Sequence, residues 1–229
     1  MRIVFVRHGH PDYAKDCLTE LGRQQAAACA EKMKDENIQA IYASTCGRAF
    51  ETAQHTADQI GLDVIPLEFM REIRWGEKDE YSELFDNGHP WNTAEQLSQN
   101  EGFDLLHDDW RSHKYFSGNI VLDSIEKVSN GFAEWINQFG YKFIDDGRLY
   151  CERKCHDVVA LYSHGGSGAA VLSKLFGLPF PYVCITYAMN FTSITVVDIP
   201  SNPGCVVIPR LLRLNDDKHV TTKKITFQM

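Results

Sequence analysis

Three short apolar segments, Ile3 to Val6, Ile38 to Tyr42 and Val158 to Tyr162, constrain this chain more than any other feature. Each is too short for a helix and too continuously apolar for a strand with one wet face. That is the pattern of a parallel strand buried on both sides. Asp63 to Ile65 is a shorter candidate strand after Gly61. Thr192 to Ile199 and Cys205 to Leu214 read as two late strands joined by the turn-rich "PSNPG".

Helical patterns separate these segments. Thr19 can cap a helix running to about Glu36, weakened by Gly22. Ala49, Ala53, Ala57 and Ile60 form a stripe at helical spacing, closed by Gly61. Ile125, Val128, Phe132, Trp135, Ile136 and Phe139 make the cleanest stripe, with Asp123 and Glu126 as its expected capping box. Ala169 to Phe176 is apolar nearly all round and stops at Gly177, as a buried helix would. Strands alternating with helices predict an α/β fold: a three-layer α/β/α sandwich with a mostly parallel central sheet. The chain of 229 residues is expected to form one domain, 1–229. The stretch of about 75–120 breaks the rhythm, being polar, aromatic and rich in Asn, Asp and His. It reads as an insertion with some helix, draped over the carboxyl end of the sheet. Its rings, Trp75, Trp91 and Trp110 among them, are expected to form a small core of its own.

Charge narrows the function classes. A net charge of −8 argues against nucleic acid as the main partner. No signal peptide or membrane span is recognisable, so no membrane partner is expected and the cytoplasm is the expected location. The seven cysteines are then expected to be free thiols. "CERKCH" (Cys151 to His156) lacks a standard zinc spacing and reads as buried cysteines or a hairpin. Oligomeric state is not readable.

In open α/β sheets, ligands bind beyond the carboxyl ends of the strands. The first strand ends there in Arg7, His8 and Gly9. The strand Val158 to Tyr162 ends in "SHGGSG", Ser163 to Gly168, and runs directly into a helix. Two strand ends thus deliver a histidine each to one rim, and the backbone N–H groups from Gly165 onward offer an anion site. The strand ending at Tyr42 leads to "ASTCGRAFETA", where Ser44 or Thr45 can cap the next helix and Arg48 falls in its first turn. Two arginines, two histidines and a helix N-terminus around one spot suit a phosphoryl group.

Taken in order, "VRHG", "LTELGRQQA", "ASTCGRAFETA", "MREIRWGE" and "YSHGGSGAA" resemble the histidine phosphatase superfamily, also called the phosphoglycerate mutase-like family. The resemblance runs from Met1 to about Leu178, the insertion excepted. It implies that His8 is the nucleophile, forming a phosphohistidine, and that Arg7, Arg48 and a protonated His164 clamp the nonbridging oxygens. Glu72 maps onto the glutamate that protonates the leaving oxygen and later activates water, with Glu77, Asp79 and Glu80 as nearby competitors. The expected partner is a small phosphorylated substrate. No cofactor or metal is required, because arginines supply the positive charge. After "RHG" the chain departs from the mutase pattern with "HPDY", His10 to Tyr13, and the mutase-type paired arginines are not evident, Arg111 being a lone candidate. That departure favours a phosphatase hydrolysing a phosphomonoester; the alternatives are a phosphoglycerate mutase and a non-catalytic phosphate-ligand sensor or scaffold.

Overall fold

Side-chain alternation in the first strand explains the layering. In this computed structural model, which describes residues 1–220, β1 (Arg2–Arg7) sends Ile3 and Phe5 to one face of a sheet and Val4 and Val6 to the other. Both pairs are fully or almost fully buried, so both faces must be covered. Burial of each such side chain contributes about 1.5–3 kcal/mol.

After β1 the chain forms a small hairpin, β2 (Pro11–Asp12) and β3 (Cys17–Leu18), and then α1 (Glu20–Met33), β4 (Ala40–Ser44), α2 (Gly47–Ile60) and β5 (Val64–Leu67). The 75–120 segment holds two short helices, α3 (Pro90–Glu95) and α4 (Lys114–Ser117). It leads to α5 (Val121–Asn137), β6 (Tyr141–Phe143), β7 (Leu149–Cys151), β8 (Val158–Ser163), α6 (Gly165–Phe176) and α7 (Phe180–Thr186). The described chain ends with β9 (Ile194–Asp198), β10 (Cys205–Val207) and β11 (Arg210–Asp216). The main sheet has the order β11-β9-β1-β8-β4-β5. β1, β8, β4 and β5 are parallel; β9 is antiparallel to its neighbours. Helices α1 and α2 cover the Val4 face, and α5 and α6 cover the Ile3 face. The expected three-layer fold is therefore present. Among the described residues no single helix is long and apolar enough to cross a membrane.

Local departures have identifiable causes. Cys205 to Leu214 is not one strand: Pro209, with no N–H for a ladder, separates β10 from β11, and β10 joins a separate sheet with β7 and β6. Thr19 caps α1 as expected, accepting the Gly22 N–H, but the regular helix stops at Met33 and a single 3₁₀ turn ends at Asn37, which is left-handed (φ 55°). Gly22 sits inside that helix because the His10 carbonyl presses on it; a Cβ there would lie 2.2 Å from the oxygen. α5 starts at Val121, before the expected capping box of Asp123 and Glu126. Asn119 does the capping instead, its Oδ1 accepting the Val121 N–H. Cys151 and Cys155 are buried, and Cys151 ends β7.

The rings of the insertion do not keep to a core of their own. Trp110 and Phe116 are buried within the main core beside Phe180. Trp75 and Trp91 instead face a cavity over the carboxyl end of the sheet. Trp91 keeps one side on the main core, and its remaining surface, like Trp75, is free to meet a ligand.

Candidate active site

Strand register builds the site. Arg7 at the end of β1 is paired with Ser163 at the end of β8, so the next residues, His8 and His164, leave the sheet side by side. Their ring centroids are 5.1 Å apart. β4 flanks β8 on its other edge and delivers Ser44, and α2 then begins at Gly47 and carries Arg48 in its first turn. Three adjacent strand ends thus supply the four side chains anticipated from the sequence. Of the four, Arg7 and Arg48 line a cavity of about 620 Å³, while His8 and His164 are buried beside them and do not line it; the volume is within the usual range for small-molecule sites.

His8 is buried, and its Nδ1 is 2.7 Å from the Gly9 carbonyl. A carbonyl only accepts, so Nδ1 carries the ring proton and Nε2 is left with its lone pair. Arg48 Nε donates to that Nε2 at 3.3 Å. Burial, then the positive charge of Arg7, hold the His8 pKa well below the usual histidine value, and the ring is a neutral nucleophile near pH 7. The Gly9 backbone that anchors this ring is itself fixed: its N–H donates to Thr52, and a Cβ would strike the Gly22 carbonyl at 2.6 Å. Gly9 is therefore required by packing against α1.

His164 is fully buried, with Nε2 2.8 Å from Ser44 Oγ. The Ser44 oxygen accepts the Cys46 N–H and can donate its hydroxyl proton to Nε2, an arrangement in which the ring proton sits on Nδ1. That Nδ1 has no protein partner among the described residues, and neither does the buried Nε of Arg7. Burial, followed by the neighbouring His8 and then the guanidiniums of Arg48 and Arg7, holds the His164 pKa well below its usual value. Without an anion these surroundings favour the neutral ring, and the protonated His164 that the family resemblance implies is one beside a bound phosphate.

Both guanidiniums are held from behind. Arg7 Nη1 donates to the Met189 carbonyl at 2.6 Å, and its Cζ sits 4.3 Å from the Phe191 ring centroid. Arg48 is buried and pairs through Nη1 with Asp16 Oδ1 at 2.5 Å. The other Asp16 oxygen accepts the Gly47 N–H at 2.8 Å. Neither Ser44 nor Thr45 therefore caps α2; a residue from the β2–β3 hairpin does. Desolvation pushes the Asp16 carboxyl up, but the Gly47 N–H and Arg48 together hold it below the usual carboxylate range. Tyr13, on the same hairpin, lies over Arg48 at 5.4 Å and lines the cavity. "HPDYAKD" thus reaches the site through Tyr13 and Asp16, and Asp16 is the functional candidate that the sequence reading missed.

Glu72 also lines the cavity, while Glu77, Asp79 and Glu80 are exposed and do not. Its Oε1 accepts the Ser167 N–H and the Ile73 N–H, each at 2.9 Å, and Oε2 accepts the Gly166 N–H at 3.3 Å. Two of the N–H groups at the start of α6, expected to serve an anionic ligand, are therefore occupied by Glu72; Gly165 remains at the cavity wall. Gly166 has to be glycine, since a Cβ would stand 2.7 Å from Glu72 Oε1 and 2.3 Å from Ile73 Cγ1. Desolvation nevertheless outweighs these bonds and raises the Glu72 pKa above the usual value. Arg111 is exposed, stacked on Trp110 at 4.7 Å, and does not line the cavity.

Comparison with known proteins accords with this geometry. The first 118-residue match is to a 2,3-bisphosphoglycerate-dependent phosphoglycerate mutase of Thermoplasma acidophilum, 32% identical over 45% of this chain and 59% of the mutase. A probable phosphoglycerate mutase of an Enterobacter species is matched over 47% of its length, so the chain spans about half of these curated relatives. A glucosyl-3-phosphoglycerate phosphatase of Mycolicibacterium vanbaalenii is 25% identical over 78% of this chain and 75% of its own. The solved structure of a mycobacterial glucosyl-3-phosphoglycerate phosphatase superimposes with a TM-score of 0.63 at 25% identity, covering 93% of this chain and 98% of the other. The model of the histidine phosphatase superfamily (branch 1) matches residues 3–208. Its span takes in every side chain that meets at the rim, and the chain belongs to the histidine phosphatase superfamily.

Proposed function

We propose that this protein is a phosphomonoester hydrolase that works through a phosphohistidine on Nε2 of His8 and needs no metal ion. The observation that carries the reading is the state of His8: buried, neutral, pinned through Nδ1 to Gly9, with Nε2 facing a guanidinium. Arg7 and Arg48 supply the positive charge for the phosphoryl oxygens, aided by His164 Nδ1–H. On substrate binding, Arg48 turns its Nε from His8 to a phosphoryl oxygen. Nε2 then attacks phosphorus in line, and the bond to the leaving oxygen breaks. Glu72, whose desolvation favours the protonated carboxyl, gives its proton to that oxygen. In the second half, the Glu72 carboxylate takes a proton from water as the water oxygen attacks phosphorus. Inorganic phosphate leaves and His8 is restored.

Relatives that are mutases keep the alternative of phosphoglycerate isomerisation in view. A mutase must retain a bisphosphate, which calls for cations at two places. Among the described residues the guanidiniums lining the cavity are Arg7 and Arg48, both at the same end, which favours hydrolysis. The test is the product. Incubation with phosphomonoesters is expected to release inorganic phosphate at a rate dependent on His8. Isomerisation of 3-phosphoglycerate that requires a bisphosphate primer, with little phosphate release, would refute the hydrolase reading.

A further inference from the structure

The cavity is divided by chemistry. Its phosphate end holds the two guanidiniums and Glu72; the rest is walled by Trp75, His89 and Trp91 of the insertion and by Ile185, Tyr187 and Met189 beyond α6. The three insertion rings form a chain. Trp75 meets His89 edge-on at 5.1 Å and 83°, and His89 lies 5.6 Å from Trp91 at 44°. This wall reaches the reacting end. A point 1.5 Å or so out from the Gly165 backbone, where a Cβ would stand, is 3.6 Å from Trp91 Cζ2 and 3.8 Å from Arg7 Cζ. Whatever leaves phosphorus therefore passes the Trp91 indole first.

Charge in this half is as informative as shape. A leaving group with its own carboxylate, as in a phosphoglycerate or phosphoserine, needs a further cation. Arg7 and Arg48 are committed to the phosphate end by Met189 and Asp16. His89 accepts the Asn92 N–H through Nδ1, and burial lowers its pKa, so it is a neutral Nε2–H donor. It can offer one hydrogen bond to a hydroxyl or ether, not a countercharge. A three-carbon acid would also leave most of the 620 Å³ unfilled.

Resting on the hydrolase reading, we infer that the substrate is the phosphomonoester of an uncharged, ring-bearing alcohol, whose ring packs against Trp91 and Trp75 while its phosphate meets Arg7 and Arg48. Aromatic packing and apolar burial of this kind make up the binding energy that a small polar acid would have to find in ion pairs.

The experiment compares kcat/KM for benzyl phosphate and 2-naphthylmethyl phosphate with that for phosphoserine and 3-phosphoglycerate, on the wild type, Trp91→Ala, Trp91→Phe and Trp75→Ala. All four are esters of alkyl alcohols, so leaving-group reactivity is comparable. The naphthyl substrate is expected to lead the acidic ones by about tenfold or more, the scale of one well-packed ring pair with its buried area. Trp91→Ala should remove most of that lead, lowering kcat/KM for the two ring-bearing esters by about tenfold more than for the two acidic ones, with Trp91→Phe intermediate. Trp75→Ala, at the more open rim, gives the same reading if Trp91→Ala does not fold. A preference for phosphoserine or 3-phosphoglycerate would overturn this inference while leaving the hydrolase reading intact, as would an equal loss on all four substrates in both tryptophan variants. Failure to release phosphate from any of the four and from p-nitrophenyl phosphate as well would overturn the hydrolase reading itself and the inference with it.

Discussion

Asp16→Asn separates the charge of the hairpin carboxylate from its other duties. The side chain holds Arg48 through one oxygen and the Gly47 N–H through the other. Asparagine keeps an acceptor for Gly47 and tolerates the left-handed backbone at this position (φ 50°), so the cap and the hairpin survive. The ion pair does not. Arg48 is 10% exposed and Asp16 41%, so the loss falls between a fully buried pair and a surface one. Removing one partner of a buried pair costs about 3–5 kcal/mol, and an exposed pair contributes about 0.2–1; solvent screening of Asp16 brings the expectation to about 1–2 kcal/mol. In a chain of this size that lowers Tm by roughly 2–8 °C. The sign with pH is fixed by the lowered folded pKa of Asp16. Its contribution is complete above the unfolded value of about 4 and fades as pH falls through the folded value, so the gap between wild type and variant should be full at pH 7 and close under acid. Turnover should suffer more than stability, since Arg48 left free to shift by about 1 Å can lose up to about 10²-fold. Thermal melts across pH 3–7, with kcat and KM on one phosphomonoester, make the test. A variant within twofold of wild type in kcat/KM and unchanged in Tm at pH 7 would refute the claim that Asp16 positions Arg48.

Three other outcomes follow from the same geometry. The productive state needs His8 neutral and Glu72 protonated; with the His8 pKa lowered and that of Glu72 raised, the kcat/KM profile should peak on the acid side of neutrality. Glu72→Gln should remove the alkaline limb of that profile and slow alkyl phosphates by about 10²–10⁴-fold, with a smaller loss on p-nitrophenyl phosphate, whose leaving group needs no proton. Gly166→Ala puts a methyl where Glu72 Oε1 and Ile73 now pack, and is expected to lower kcat more than it raises KM on alkyl phosphates; an unchanged kcat would show that Glu72 need not sit on α6.

What was legible in the sequence is what is written locally. The apolar segments and their polar ends announced β1, β4 and β8, and a parallel register of adjacent strands then brings Arg7, His8, His164 and Arg48 together without further instruction. Glu72 was legible by motif position, but its seat on the α6 N–H groups was not, because that contact joins residues 94 and 95 positions apart. Asp16 was hidden for a related reason. In a short polar hairpin an aspartate reads as a turn residue, and only the fold sets it against Arg48, 32 positions away. Asn119 caps α5 from outside any box pattern, so the Asp123 and Glu126 pair misled. The rings of 75–120 carry no periodicity that tells an inward face from one turned to a ligand. Trp110 and Phe116 went to the core, and Trp75 and Trp91 to the cavity.

The central claim is a covalent bond between phosphorus and His8 Nε2. Rapid acid-free quenching of the wild type during turnover of a phosphomonoester, followed by ³¹P NMR and peptide mass spectrometry, reads it directly. The account predicts an acid-labile, alkali-stable phosphoryl group on the peptide that contains His8, absent from a folded His8→Ala variant that no longer turns over. A phosphoryl group on another residue, or steady hydrolysis by His8→Ala, would contradict it.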